Sequence, residues 1–190
     1  MKLKNAFKEI RNGYNINNSK VIDENSKKYK TLIKDSILYT NIIPSRLVEK
    51  SFTGVDEKYF LHDRDILIFI KKPYRVGTYR FGDKLDIIIP NNFVILRGIN
   101  MDYYSFIFVA NYLEKVGIKK YVEDNNITGN LTVELIEDIE LPDIPKEKQM
   151  TISSLLNLIN ERSAIYSNIL DNDEIIKDYA INSVIGEKND

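Results

Sequence analysis

From Lys146 to about Ile185 the apolar residues of this chain recur in steps of three and four. They fall at Ile152, Leu155, Leu156, Ile159, Ile165 or Tyr166, Ile169 and Leu170, and resume at Ile176, Tyr179, Ala180 and Val184. This is the period of one long helix with an apolar seam, and such a seam needs a partner. Pro142 and Pro145 fence the segment off from what precedes it. The weak point is Asp171-Asn172-Asp173, where Asp171 is a candidate fresh N-cap and Glu174 would complete a capping box. If the helix breaks there, residues 174–185 can fold back and fill the seam in cis. If it does not, the second helix comes from another copy, and a two-fold homodimer is expected through Leu155, Leu156, Ile159, Ile169 and Ile176.

Upstream the period is shorter. Ile66-Leu67-Ile68-Phe69-Ile70 reads as a buried strand by its length and β-branching. Thr31-Leu32-Ile33, Ser36 to Tyr39, Val76 to Phe81, Leu85 to Ile89 and Phe93 to Leu96 read as further strands. The first 35 residues are polar and turn-rich, with a turn at Asn12-Gly13 and loop tips at Asn15 to Ser19 and Asp23 to Lys28. Asp102 is the expected cap of a helix from Tyr103 to about Lys115, with Phe106, Val109, Ala110 and Leu113 on one face. A second short helix is expected from Thr132 to Asp138. The fold class is therefore α+β: a mixed-sheet domain over residues 1–145, followed by a helical segment over residues 146–190.

With 190 residues, 43% hydrophobic and 29% charged, the chain is long enough to bury a core. It has no cysteine and one histidine, His62. That excludes a disulfide scaffold, a thiol nucleophile, a thiolate metal site and any site needing two imidazoles. There is no apolar run of about 18 residues and no signal-peptide core after Met1-Lys2-Leu3-Lys4-Asn5, so a soluble, cytoplasmic protein without membrane attachment is expected.

The net charge of −1 hides an asymmetry. Residues 1–84 carry 18 Lys+Arg against 10 Asp+Glu, while residues 85–190 carry 9 against 18. A basic half suits phosphates and an acidic half suits a different partner. Candidate contacts to double-stranded DNA lie on basic loops and strand ends: Lys20, Lys27, Lys28, Arg46, Lys50, Lys71, Lys72, Arg75 and Arg80. Lysines position the backbone, and arginines can read guanine edges. Tyr74 and Tyr79 interleave with these cations and could stack or pack on sugars, or pack within a sheet.

Catalytic patterns are missing. The eight glycines form neither a phosphate loop nor a dinucleotide fingerprint. Pro90-Asn91-Asn92-Phe93 has the wrong order for an amino-methyltransferase tetrapeptide and reads as a strand-end turn. Asp56-Glu57-Lys58 lacks the second carboxylate that metal-assisted cleavage needs and reads as a solvated loop. His62, beside Asp63 and Asp65, reads as a surface residue. No catalytic residue, metal site or cofactor is expected, and the chain is expected not to be an enzyme.

The order of segments is more specific. Leu61 to Ile68, with Asp65-Ile66-Leu67 at its centre, resembles the "L-x-x-G-D-I-L" strand of type I restriction–modification specificity subunits. Ile89 to Arg97 is similar to that family's strand ending in Leu-Arg, and Met101 to Phe106 to its "x-p-x-Y-L-x-x-x-L" helix. Gly129-Asn130-Leu131 followed by Ile139 to Pro145 resembles "G … L … i-x-i-P-x-P". Glu147-Lys148-Gln149 with Ile152 and Leu155 resembles "e-e-Q-x-x-I-x-x-L", the start of the family's long conserved helix. Phe7 to Gly13 would be its opening "l-x-d-I-x-x-G". The chain departs from the pattern at Arg64, where glycine is usual, at Asp143-Ile144, and at Asp171 to Asp173, inside a helix the family keeps continuous.

The resemblance covers nearly the whole chain, once, whereas a full specificity subunit carries the unit twice with its two helices antiparallel. It implies one target-recognition domain, sequence-specific recognition of duplex DNA, and a helix that docks methyltransferase subunits or a second copy as a coiled coil. Methylation and ATP-driven cleavage would then belong to partner subunits. The alternative is a recognition-domain-like interaction or regulatory protein without a methyltransferase partner.

Overall fold

The apolar run Ile66 to Phe69 has no polar alternation, and all four of its residues are buried, because both faces of its sheet are covered. The computed structural model describes residues 1–16, 26–79 and 86–186. A single-turn helix α1 (Leu3–Ala6) leads into β1 (Phe7–Asn12). The strands β2 (Lys27–Thr31), β3 (Ile37–Leu38), β4 (Asn41–Ile42), β5 (Val48–Phe52), β6 (Ile66–Phe69), β7 (Arg75–Thr78), β8 (Ile87–Ile88) and β9 (Phe93–Ile99) follow. Helices α2 (Phe106–Tyr112), α3 (Ile118–Asp124), α4 (Val133–Glu137) and α5 (Lys146–Gly186) complete the described chain.

Among the described residues there are two sheets. One has six strands in the order β1-β9-β6-β7-β4-β3, and the other has three in the order β5-β2-β8. Most neighbours are antiparallel, but β4 runs parallel to β7 and β2 parallel to β8, so both sheets are mixed. The fold is α+β, as the pattern of periods implies.

The pleat of β6 and β9 divides the core. Ile66, Ile68, Val94 and Leu96 point to one side, where they meet Leu3, Val109, Leu113 and Ile136 from the helices. Leu67, Phe69, Phe93 and Ile95 point to the other, against Leu32, Ile37, Leu61 and Ile87 around the small sheet. Each fully buried aliphatic side chain contributes roughly 1.5–3 kcal/mol, so these two strands anchor the domain.

Gly13 ends β1 where backbones nearly touch. Its N–H donates to the Phe93 carbonyl at 2.9 Å, and a Cβ on it would lie 2.2 Å from the Pro90 carbonyl oxygen. Only glycine fits.

Several local expectations shift. The N-terminal stretch is not all loop: it holds β1, and Lys27 and Lys28 lie on β2 rather than at a loop tip. Asp102 does not cap α2. It sits in a turn held by Asn100, and Ser105 takes the cap position, its hydroxyl accepting from Phe108 N–H at 3.5 Å. The helix does not stop at Lys115 but passes through a wide turn, Leu113–Gly117, into α3. Thr132 caps α4 as its position suggests. At Asp171 to Asp173, where the sequence leaves two outcomes open, α5 runs on unbroken, over 41 residues in all. Asp171 caps no new helix; its carboxylate accepts from Arg46 at 3.0 and 3.2 Å.

Candidate nucleic-acid interface

The basic candidates of the N-terminal half fall into separate places. Lys27 and Lys28 lie on β2 and Lys50 lies on the adjacent β5, all three exposed, with Lys28 paired to Ser51 and Tyr29 to Lys50 across the ladder. Lys28 and Lys30 are two apart and leave the small sheet on one face, while Lys27, Tyr29 and Lys50 share the other with buried Phe52. Tyr29 packs on both Phe52 and Phe60, with ring centroids 6.5 and 5.5 Å away. Lys71 and Lys72 are exposed in the turn between β6 and β7. None of these six lysines forms an ion pair among the described residues.

Other candidates are already engaged. Arg46 donates to Ser167 Oγ at 2.9 Å and to the Asp171 carboxylate, tying the turn before β5 to α5. Arg75 pairs with Glu114 at 3.1 Å, and Glu114, itself 8% exposed, also accepts the Val76 N–H at 2.6 Å. The Tyr74 hydroxyl donates to the Gly129 carbonyl at 3.1 Å, and burial pushes its pKa up. Tyr79 is half-buried against the core beside the small sheet. Lys20 and Arg80 lie outside the described residues.

Cations that the sequence did not single out stand nearby. Lys30 continues the row of β2. Lys58 lies 5.1 Å from the centre of the Tyr59 ring, and Arg11 lies 5.5 Å from it. Asp56 holds the Lys58 turn: its carboxylate accepts the Lys58 N–H and ammonium, which keeps its pKa below the usual range. The only advance signal for Lys30 was its place in the same short basic run.

Two motif residues far apart in sequence meet. Asp65, fully buried, accepts from Arg97 at 2.9 and 2.7 Å and from the His62 N–H at 2.9 Å. The remaining donors of Arg97 reach the carbonyls of Phe60 and Lys58. This cluster pins the loop before β6 to β9.

The long helix is mounted on the domain by polar groups. Gln149 is fully buried; its carbonyl accepts the Ser105 N–H at 3.1 Å, and its amide donates to the carbonyls of Tyr103 and Ile144. Ser153 and Ser105 share a hydrogen bond of 2.6 Å. Asn160 donates to the Thr40 hydroxyl at 2.9 Å. Thr40 and Tyr39 form the two-residue turn between β3 and β4, both with positive φ, so the helix docks on a strained hairpin tip. The face made by Gln149, Ser153, Asn160, Ser167 and Asp171 was missed at the sequence level, although its steps of four and seven are helical.

The apolar seam points the other way. Leu155, Ile159, Ile169 and Ile176 are exposed, at 60%, 40%, 48% and 63%, and Leu156 is half-buried. No helix among the described residues is long and apolar enough to cross a membrane.

No family model matches the chain, and no curated protein matches it in sequence. Solved structures do match. The HsdS subunit from Thermoanaerobacter tengcongensis superposes with a TM-score of 0.59 at 14% identity, over 96% of this chain and 47% of that one. The type I restriction–modification S subunit from M. genitalium gives 0.58 at 14%, over 94% and 43%. A chain from a structure of the assembly and conformational transition of a type I R-M system gives 0.55 at 16%, over 92% and 41%. This chain spans less than half the length of each of them. From β1 to the long helix, its fold is the fold of type I restriction–modification S subunits.

Proposed function

We propose that this chain is a DNA specificity subunit of the type I restriction–modification class. It carries one target-recognition domain over residues 1–145, and a second copy joins it through α5. The observation that carries this reading is the extent of the likeness, which takes in the sheet domain and the long helix together. The exposed lysines of the small sheet and of the β6–β7 turn supply the phosphate grip that such a domain needs. The helix keeps its polar face on the domain and leaves its apolar face for protein. Chemistry belongs to partners: methylation to methyltransferase subunits and cleavage to an ATP-driven subunit.

The test is binding of the purified full chain to duplex DNA across a salt series, with and without a partner methyltransferase and S-adenosylmethionine. Affinity should fall linearly on a log–log plot, at about 0.9 per phosphate neutralised. Replacing Lys71 and Lys72 together by alanine should weaken binding to every sequence and reduce that slope by about 2. The chain alone should neither methylate nor cut. Salt-independent binding, or none even with the methyltransferase present, contradicts the reading.

A further inference from the structure

We propose that α5 pairs antiparallel with the α5 of a second copy, in the register that sets Arg162 against Asp173. This rests on the two-copy reading above, with the antiparallel pairing that the resemblance implies, and adds the register.

The argument starts from what α5 exposes. On the side away from its polar mounting, the positions Leu155, Ile159, Arg162, Tyr166, Ile169, Asp173, Ile176 and Ala180 follow in alternating steps of four and three. All eight are exposed. Six are apolar and two are charged, with opposite signs. Neither Arg162 nor Asp173 forms an ion pair among the described residues, whereas Asp171 on the mounting face does.

The order of steps reads the same in both directions. Reversing one copy therefore brings every layer into coincidence at a single register. Leu155 faces Ala180, Ile159 faces Ile176, Arg162 faces Asp173 and Tyr166 faces Ile169, around a dyad between Ser167 and Asn168. Symmetry makes the ion pair twice, one on each side of the dyad.

Other arrangements of the same seam are penalised. A parallel pair stacks Arg162 on Arg162 and Asp173 on Asp173, two like-charge contacts. An antiparallel pair slipped by seven residues seats each charge against an apolar layer, where an unpaired ion is costly. A polar residue in an apolar seam is the device that fixes register in coiled coils, at some expense of stability. The mounting contacts of Gln149, Asn160 and Asp171 lie on the opposite side and need not move.

The chain has no cysteine, so disulfide trapping is clean. Ile159→Cys and Ile176→Cys lie roughly 25 Å apart on one helix at 1.5 Å rise per residue, too far to bridge within a chain. The full chain carrying both should oxidise to a covalent dimer, while either single variant should stay uncrosslinked. Arg162→Asp or Asp173→Arg alone should weaken the dimer at least tenfold in analytical ultracentrifugation, and the double charge swap should restore it to within threefold. Crosslinking of a single variant indicates a parallel pair and overturns the proposal. A dimeric mass without crosslinking in the double variant overturns the register but leaves the two-copy reading standing. A monomeric mass with DNA present overturns both.

Discussion

Arg64 holds φ at +63°, where a side chain crowds its own backbone at a cost of roughly 1–2 kcal/mol. It occupies the position where the resemblance has glycine, and its exposed side chain pairs, among the described residues, only with its neighbour Asp63. Arg64→Gly should therefore raise stability in urea unfolding by about 0.5–1 kcal/mol, the relief being partly offset by glycine's freedom in the unfolded chain. A loss of stability would show that the Arg64 side chain contributes more than its backbone costs. Asp65, next in the chain, behaves in the opposite sense. Asp65→Ala leaves Arg97 without its buried carboxylate and should cost about 3–5 kcal/mol. A cost below about 1 kcal/mol would mean that water replaces the pair. The motifs around Asp65 and Arg97 were each visible in the sequence. Their contact was not, because nothing local reports which strands become neighbours.

At the scale of elements, the buried strands were legible as short β-branched apolar runs between turns, and the long helix because its period extends over many residues. The ends were not. Ser105 displaced Asp102 as the cap because tertiary contacts, the Ser153 hydroxyl and the Gln149 carbonyl, select where the helix starts. Asp171 looked like a helix start because its distant partner, Arg46, has no local signature. The apolar seam drew attention from the polar face that holds α5 in place. That face makes a sharp prediction: Gln149→Ala strands the Ser105 N–H and two carbonyls, and should lower stability by about 2–4 kcal/mol in urea unfolding. Gln149→Glu buries a carboxylate facing the Tyr103 and Ile144 carbonyls, to which it can no longer donate, and should cost at least as much as alanine. Equal stability of the alanine variant would mean that α5 is not seated through this residue.

At the scale of the molecule, the charge split pointed to DNA but could not show which cations remain available. Folding draws Arg46 and Arg75 into pairs with Asp171 and Glu114, while Lys27, Lys28, Lys50, Lys71 and Lys72 keep no partner among the described residues. A dimer related by a dyad presents two copies of one reading surface, pointing in opposite directions along the duplex. Such an arrangement recognises the same half-site twice, inverted, at a fixed separation. The most direct measurement is the motif recovered when the full chain, mixed with a type I methyltransferase subunit, directs methylation of a randomised duplex pool. The account predicts an interrupted inverted repeat with one spacer length. Two unrelated half-sites, or methylation without sequence preference, would contradict it.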